Sequence, residues 1–264
     1  MSYRKKHINP KIRNLRPKKK FWKRPVFWIV LALLLASAVT YFLLFYSTFQ
    51  VKNIEIAGNE EVKSENVQNI ISDGLNNKVL FIPSKSIFLV DTNKLAKDIL
   101  QALPKIETAD IQKKFPDSIE AKIKERQPFA VFCQNEHNCF YIDQNGVVFE
   151  ETNTDTDMMT ITKEQTNDAI STGENAIEKN IMDGIYKVQK NLKNNFQVDV
   201  KEAFVSNPLV FTTAENWKIY FDPKFDIDSQ IIKMNALLKD QITPEARKKL
   251  QYIYLQYKDR AYYK

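Results

Sequence analysis

Cys133, His137 and Cys139 stand together in FCQNEHNCF. Two thiols and an imidazole at this spacing allow a disulfide, a pair of free thiols or part of a metal site. C-x3-H-x-C offers three ligands, and a structural zinc takes four. The pattern therefore ranks a Cys133–Cys139 disulfide first, free thiols second and metal third, and no metal site is expected. A loop this short would gain about 2 kcal/mol from the cross-link in the loop-entropy account. The only other histidine is His7. Glu125-Arg126 is a neighbouring acid–base pair with no further acid or base placed beside it in sequence, and it reads as an ion pair at a strand end. There is no GxGxxG, Walker loop, HExxH or GxSxG, and the five glycines are scattered at turns. No catalytic residue, cofactor or small-molecule substrate is expected, so the chain reads as a non-enzyme.

The elements that would carry these residues are legible in part. Phe129–Cys133 and Cys139–Ile142 read as two strands joined by a five-residue loop, which sets the cysteines opposite each other. YIDQNGVVF reads as a second hairpin, with Asn145-Gly146 supplying both positive-φ positions of a type I′ turn. Upstream, FQVKNIEIAGN alternates Val51, Ile54 and Ile56 into a Gly58-Asn59 turn. SENVQNIISDG and DTNKLAKDILQALP have apolar residues at helical spacing. IETADIQKKFPDSIEAKIKER gives two strands around Phe115-Pro116-Asp117-Ser118. This order is β-α-α-β-β, a three-stranded sheet with two helices on one face. Downstream, residues 152–176 read as a polar loop around a short MMTI strand. Ile177 to Leu192 marks an amphipathic helix. Strands follow near 197–205, 208–213 and 217–221, then a helix near 226–240.

Charge and hydropathy divide the chain unevenly. Of 39 Lys and Arg, eleven lie in residues 1–25 with no acid among them, leaving 28 against 32 Asp and Glu. VFWIVLALLLASAVTYFLLFY, residues 26–46, is uncharged and as a helix spans about 31 Å, the thickness of a bilayer's hydrocarbon. Lys and Arg crowd its N-terminal side, which predicts a cytoplasmic tail and exported remainder. Trp22, Trp28, Tyr41 and Tyr46 sit near the two ends as interface anchors would. Ala36-Ser37-Ala38 resembles a signal-peptide cleavage site, but the apolar run continues to Tyr46, so an uncleaved anchor is expected. The basic tail reads as a topology determinant, with the lipid bilayer as its partner and no nucleic acid.

LQYIYLQYKDRAYYK, residues 250–264, holds five of the eleven tyrosines. As a strand over 250–257 it places Ile253, Leu255 and Tyr257 on one face and Leu250, Tyr252, Tyr254 and Gln256 on the other. One set can pack on a core while the other forms an aromatic row. An open sheet edge there would recruit another strand. The candidate partner-binding residues are Leu250, Tyr252, Ile253, Tyr254, Gln256 and Tyr257.

Taken in order, the basic tail with one span, FQVKNIEIAGNEEV, LPKIETADIQKKFPDSIEAKIKERQPFAVF, YIDQNGVVF and YIYLQYKDRAYYK resemble the FtsQ/DivIB family of bacterial division proteins. The resemblance is dense over residues 1–150, while 151–245 match in general layout. It implies an α+β fold: one transmembrane helix, a POTRA-like β-α-α-β-β domain, then a mostly antiparallel β domain with flanking helices. The divisions are 1–25, 26–46, 49–126 and 127–264. It implies a scaffold in the inner (plasma) membrane at the septum, with the N-terminus in the cytoplasm. Its partners would be membrane-anchored division proteins of the FtsB/DivIC and FtsL type, docked by strand addition. Tyr252 matches the family's first tyrosine here and Tyr257 its later aromatic. Tyr254 and Gln256 depart from it, standing where Asp and Arg are usual. An exported cell-wall enzyme and a POTRA-type chaperone are the alternative functions.

Overall fold

The computed structural model describes residues 25–264, apart from 80, 136–137, 154–156, 165–168 and 259. His7, His137 and the basic tail up to Arg24 lie outside the described residues. Helix α1, Pro25–Phe45, has no buried residue and is apolar all round. Its 21 residues make it long and apolar enough to cross a membrane. The hydroxyls of Ser37 and Thr40 donate to Leu34 O and Ala36 O, both at 2.9 Å, so neither is left unpaired on the apolar surface.

Next come β1 (Asn53–Ala57), α2 (Ser64–Gly74), β2 (Asn77–Val79), β3 (Ile82–Ser84), α3 (Thr92–Ala102), β4 (Ile106–Lys114) and β5 (Ser118–Glu125). β5 is the middle strand of three, parallel to β1 and antiparallel to β4. Val67 and Ile71 of α2 and Leu95 and Ile99 of α3 bury against Ile106, Ile111, Ile119 and Ile123. The Asp91 carboxylate caps α3 by accepting from Lys94 N. The expected β-α-α-β-β order is present. The β2–β3 hairpin is an addition that the sequence reading left unassigned, because three-residue strands with a proline in one of them have no readable period.

The second unit contains β6 (Ala130–Asn135), β7 (Asn138–Ile142), β8 (Val148–Thr152), β9 (Thr160–Lys163), α4 (Lys179–Phe196), β10 (Val200–Val205), β11 (Leu209–Thr213), β12 (Lys218–Phe221), α5 (Ile227–Asp240), α6 (Pro244–Arg247), β13 (Tyr252–Tyr254) and β14 (Tyr262–Tyr263). They form one sheet of nine strands, ordered β14-β13-β12-β11-β10-β9-β6-β7-β8. The short MMTI strand expected inside a loop is β9. It lies at the centre, parallel to both β6 and β10, and joins the two halves. α4 and α5 cover one face, burying Met182, Ile185, Val188, Leu192, Ile231 and Met234.

Registers tie the sheet into two sets of side chains. Phe140, Phe132, Ile161, Ala203, Phe211, Ile219 and Ile253 are paired strand by strand and all lie in the core beneath the helices. One residue further along each pairing is the opposite face: Cys133, Thr162, Phe204, Val210, Tyr220, Tyr254 and Tyr262. Strand alternation makes the two rows complementary.

One turn differs from its sequence reading. Only Gly146 of the Asn145-Gly146 pair has positive φ, +86°, so the turn is not type I′. Gly146 N donates to Asp143 O, and the Asp143 carboxylate accepts from the amides of Asn145 and Val147. A Cβ at Gly146 would lie 2.1 Å from Ile177 O, which demands glycine there on space as well as on φ.

Candidate functional site

β13 is shorter than expected: three residues, not the eight of 250–257. Ile253 and Leu255 are fully buried, as the alternation predicts. Leu250 departs from the expected outer row. It precedes the strand, after α6, and packs into the core. Tyr257 departs in the other direction. It follows the strand and is 48 % exposed instead of joining Ile253 and Leu255. Tyr252, Tyr254 and Gln256 are half-buried. Tyr252 and Tyr254 lie with ring centroids 4.8 Å apart, and Tyr254 is 4.4 Å from Tyr220 of β12. Burial first, then the neighbouring Tyr220, Tyr252 and Tyr257, push the Tyr254 phenol above its ordinary value, so it stays a neutral hydroxyl.

The edge is the larger correction. The expected open edge of residues 252–254 is occupied by residues 262–264 of the same chain. β14 pairs antiparallel to β13, matching Ile253 with Tyr263 and Tyr254 with Tyr262. Gln251 N donates to Lys264 O, and Lys264 N donates to Tyr252 O at 3.2 Å. Beyond β13, Lys233 of α5 donates to the carbonyls of Leu255 and Tyr257 at 3.0 and 2.7 Å. The outermost strand is therefore β14, where Tyr262 and Tyr263 are about half exposed. Arg247 Nε and Nη2 bond Glu215 at 2.8 and 3.0 Å and pin α6, which delivers the chain into β13.

Sequence reading missed Tyr220, Tyr262 and Tyr263. Tyr220 was accessible, because in KIYF it has the opposite parity to buried Ile219 and Phe221. Tyr262 and Tyr263 sit in a strand too short to show parity.

Cys133 and Cys139 are cross-strand partners, Cα atoms 4.1 Å apart, and are joined in a disulfide. With Val131 they form a small buried cluster on the face that α4 and α5 leave uncovered.

Glu125 and Arg126 do not pair with each other as expected. Consecutive strand residues point to opposite sides, and each finds a different partner. Glu125 is buried and accepts from the amides of Glu60, Glu61 and Val62 at 2.6, 3.0 and 2.9 Å. Burial opposes its charge, but those amides and the Lys105 ammonium outweigh it and hold the carboxyl below its ordinary value. Arg126 bonds the Asp143 carboxylate, and its Nε donates to Pro104 O at 3.0 Å. Lys105 bonds Glu61 and reaches Glu150 at 2.8 Å. Charged pairs thus bridge the first folded unit to the second. Gln127 and Pro128 lie beside them and line two adjoining clefts.

The first folded unit is the part with a family match. A family model described as POTRA domain, FtsQ-type, matches residues 49–126. Those residues form an FtsQ-type POTRA domain. The cell-division protein DivIB of Clostridium acetobutylicum is 38 % identical over 103 residues, 39 % of this chain and 37 % of that protein. The cell-division protein FtsQ of Bartonella bacilliformis is 29 % identical over 102 residues, 39 % of this chain and 30 % of that protein. The chain thus matches about a third of the length of these curated relatives. Over the matched part of the chain these similarities support the expected resemblance to the FtsQ/DivIB family, and the α+β fold has the expected apolar N-terminal helix, POTRA-like domain and sheet-rich remainder.

Proposed function

We propose that this chain is a non-enzymatic, single-span membrane scaffold of the bacterial division machinery. The observation that carries the reading is an FtsQ-type POTRA domain set directly on an apolar, bilayer-length helix. The lysine- and arginine-rich sequence before that helix supports an N-terminus in the cytoplasm with both folded units outside. The helix reads as a permanent anchor, because its apolar run continues unbroken to Phe45 and its last carbonyls, Leu43 O and Leu44 O, are bonded by Gln50, Ser84 and Ser86 of the fold that follows.

Partner capture belongs to the last strands. The uncovered face there presents Tyr252, Tyr254, Tyr220 and Tyr262, and β14 offers the outer hydrogen-bonding edge. A membrane-anchored partner of the FtsB/DivIC or FtsL type adds a strand along this edge and lays side chains on the tyrosine row. Gln256 and Tyr257 flank the row, while Leu250 and Ile253 support it from below.

Two experiments test this. An N-terminal fluorescent fusion should form a ring at the division site, and uniform envelope fluorescence from a functional fusion would refute the division role. Tyr252→Glu with Tyr254→Glu should abolish co-purification of the partner while leaving the thermal midpoint nearly unchanged. Undiminished capture would remove the edge from the proposal and leave the division role standing.

A further inference from the structure

The POTRA domain contains four aromatic residues, Phe49, Phe81, Phe88 and Phe115, and none of them is in its core. Its buried apolar residues are all aliphatic. A small domain ordinarily invests its largest apolar side chains inside. Here Phe81 is 95 % exposed, Phe115 61 % and Phe88 43 %.

These rings are not scattered. Phe42, in the last turn of α1, lies 6.1 Å from Phe49 between ring centroids. Phe49 is 5.4 Å from Phe88, and Phe88 is 5.5 Å from Phe115. The series runs from the end of the apolar helix onto the domain. Phe81 and exposed Ile82 are in the β2–β3 hairpin, whose Ser84 hydroxyl bonds α1. Three bonds from Gln50, Ser84 and Ser86 to the last carbonyls of α1 fix the domain to the helix end without a loose linker. Phe49, and through it Phe88 and Phe115, are therefore tied to the end of the helix. Exposed Lys78 and Lys85 lie in the same segments, and Lys114, which also bonds Glu120 at 3.1 Å, precedes Phe115.

We propose that this face of the POTRA domain rests in the surface of an anionic bilayer, with Phe81, Phe88 and Phe115 among the upper acyl chains and glycerol groups. The lysines meet lipid phosphates. Exposed apolar rings in segments that also carry exposed lysines are the pattern of interfacial membrane contacts, and Phe49 and Phe88 continue the ring contacts of α1, which itself offers an apolar surface to lipid. The domain is thereby held flat and cannot swing about its anchor. The inference rests on reading α1 as a membrane span.

The test is spin-label depth in the full chain, reconstituted into phosphatidylcholine vesicles containing a minority of phosphatidylglycerol. The native cysteines are bonded to each other, so a thiol label reports only introduced sites: Phe88→Cys, Phe115→Cys, Leu34→Cys in mid-helix and Lys239→Cys in α5. The oxygen-to-nickel accessibility ratio at positions 88 and 115 should exceed that at 239 several-fold and fall short of that at 34. Omitting phosphatidylglycerol should lower it at 88 and 115 alone. A lipid signal at 34 with water values at 88 and 115 overturns the docking while leaving the anchor intact. A water value at 34 overturns the anchor reading itself. Shielding of 88 and 115 from both relaxants, or spin–spin broadening that disappears on dilution with lipid, means a protein covers the face and also overturns the proposal.

Discussion

The POTRA domain and the nine-stranded unit place their aromatics in opposite ways. The POTRA domain buries none and shows only phenylalanine. The second unit buries Phe132, Phe211, Trp217 and Phe221 and shows tyrosine at its last strands. The two kinds of ring differ in how much water they tolerate. Phenylalanine has no group for water and is best matched by hydrocarbon. Tyrosine has an apolar body and a hydroxyl, which suits a protein interface bordered by water. The two surfaces also differ in support. The phenylalanines hang from a helix end and a small hairpin, whereas the tyrosines ride on a row of fully buried side chains from Phe132 to Ile253.

That difference in support can be broken most visibly at Ile253. It is fully buried directly beneath the tyrosine row. Ile253→Ala should cost about 3–4 kcal/mol in urea unfolding of the detergent-solubilised chain. Tyr254→Ala, one residue away on the uncovered face, should cost under about 1 kcal/mol. Equal costs would show that the tyrosine row is a second core and not a surface.

Glu125 sharpens the comparison from the POTRA side. It holds that domain's strand end to the amides of residues 60–62, so the POTRA fold depends on one buried carboxylate. Glu125→Gln should cost about 3 kcal/mol, because amides now facing a carboxylate lose charged acceptors. The sign of the pH effect follows from its lowered folded-state pKa. Its stabilisation is present above the ordinary glutamate value, near 4.3, and is lost as pH falls through the lower folded value. The wild-type midpoint should therefore drop on acidification through that window, while the variant shows a flatter profile there. Parallel profiles would mean that other carboxylates carry the acid response.

The disulfide probes the opposite end of the tyrosine face. Cys133 shares a strand-by-strand register with Tyr254, five strands away in the sheet. Replacing both cysteines with serine should lower stability by about 2 kcal/mol and leave partner capture unchanged. Lost capture at full stability would join the two ends of that face into one binding surface.

What was readable in the sequence follows physical range. Parity in IEIA, KIYF and YIY depends on residues two apart, so the core face of β13 and the outward set of its tyrosines were legible. The long apolar helix needs only composition and length. β9 was underrated because polar Thr, Asn and Asp residues surround it, and its central place is set by β6 and β10, over twenty residues away on either side. Glu125 was visible as an acid at a strand end, but its amide partners are 63–65 residues upstream. The closing of β13 by β14 rests on main-chain bonds, which leave no mark on side-chain pattern. The phenylalanines of the POTRA domain had a signal that went unused: they fall outside the apolar stripes of α2 and α3 and outside the alternating core positions of the strands.

The smallest effects on stability should divide the two aromatic surfaces most cleanly. Phe88→Ser with Phe115→Ser and Tyr252→Glu with Tyr254→Glu each change exposed or half-buried side chains, so each should shift unfolding by about 1 kcal/mol or less. Their functional effects should be crossed. The serine pair should release the POTRA domain from the vesicle surface, seen as water-like accessibility of a spin label at position 81, and should leave co-purification of the partner unaltered. The glutamate pair should do the reverse. Partner binding needs a strand edge and rings that tolerate water, whereas bilayer contact needs rings without polar groups at the helix's exit depth. If the serine pair also lost the partner, the two surfaces would be energetically coupled. The charged junction of Arg126 with Asp143 and of Lys105 with Glu150 is the rigid connection through which the orientation of one unit would reach the other.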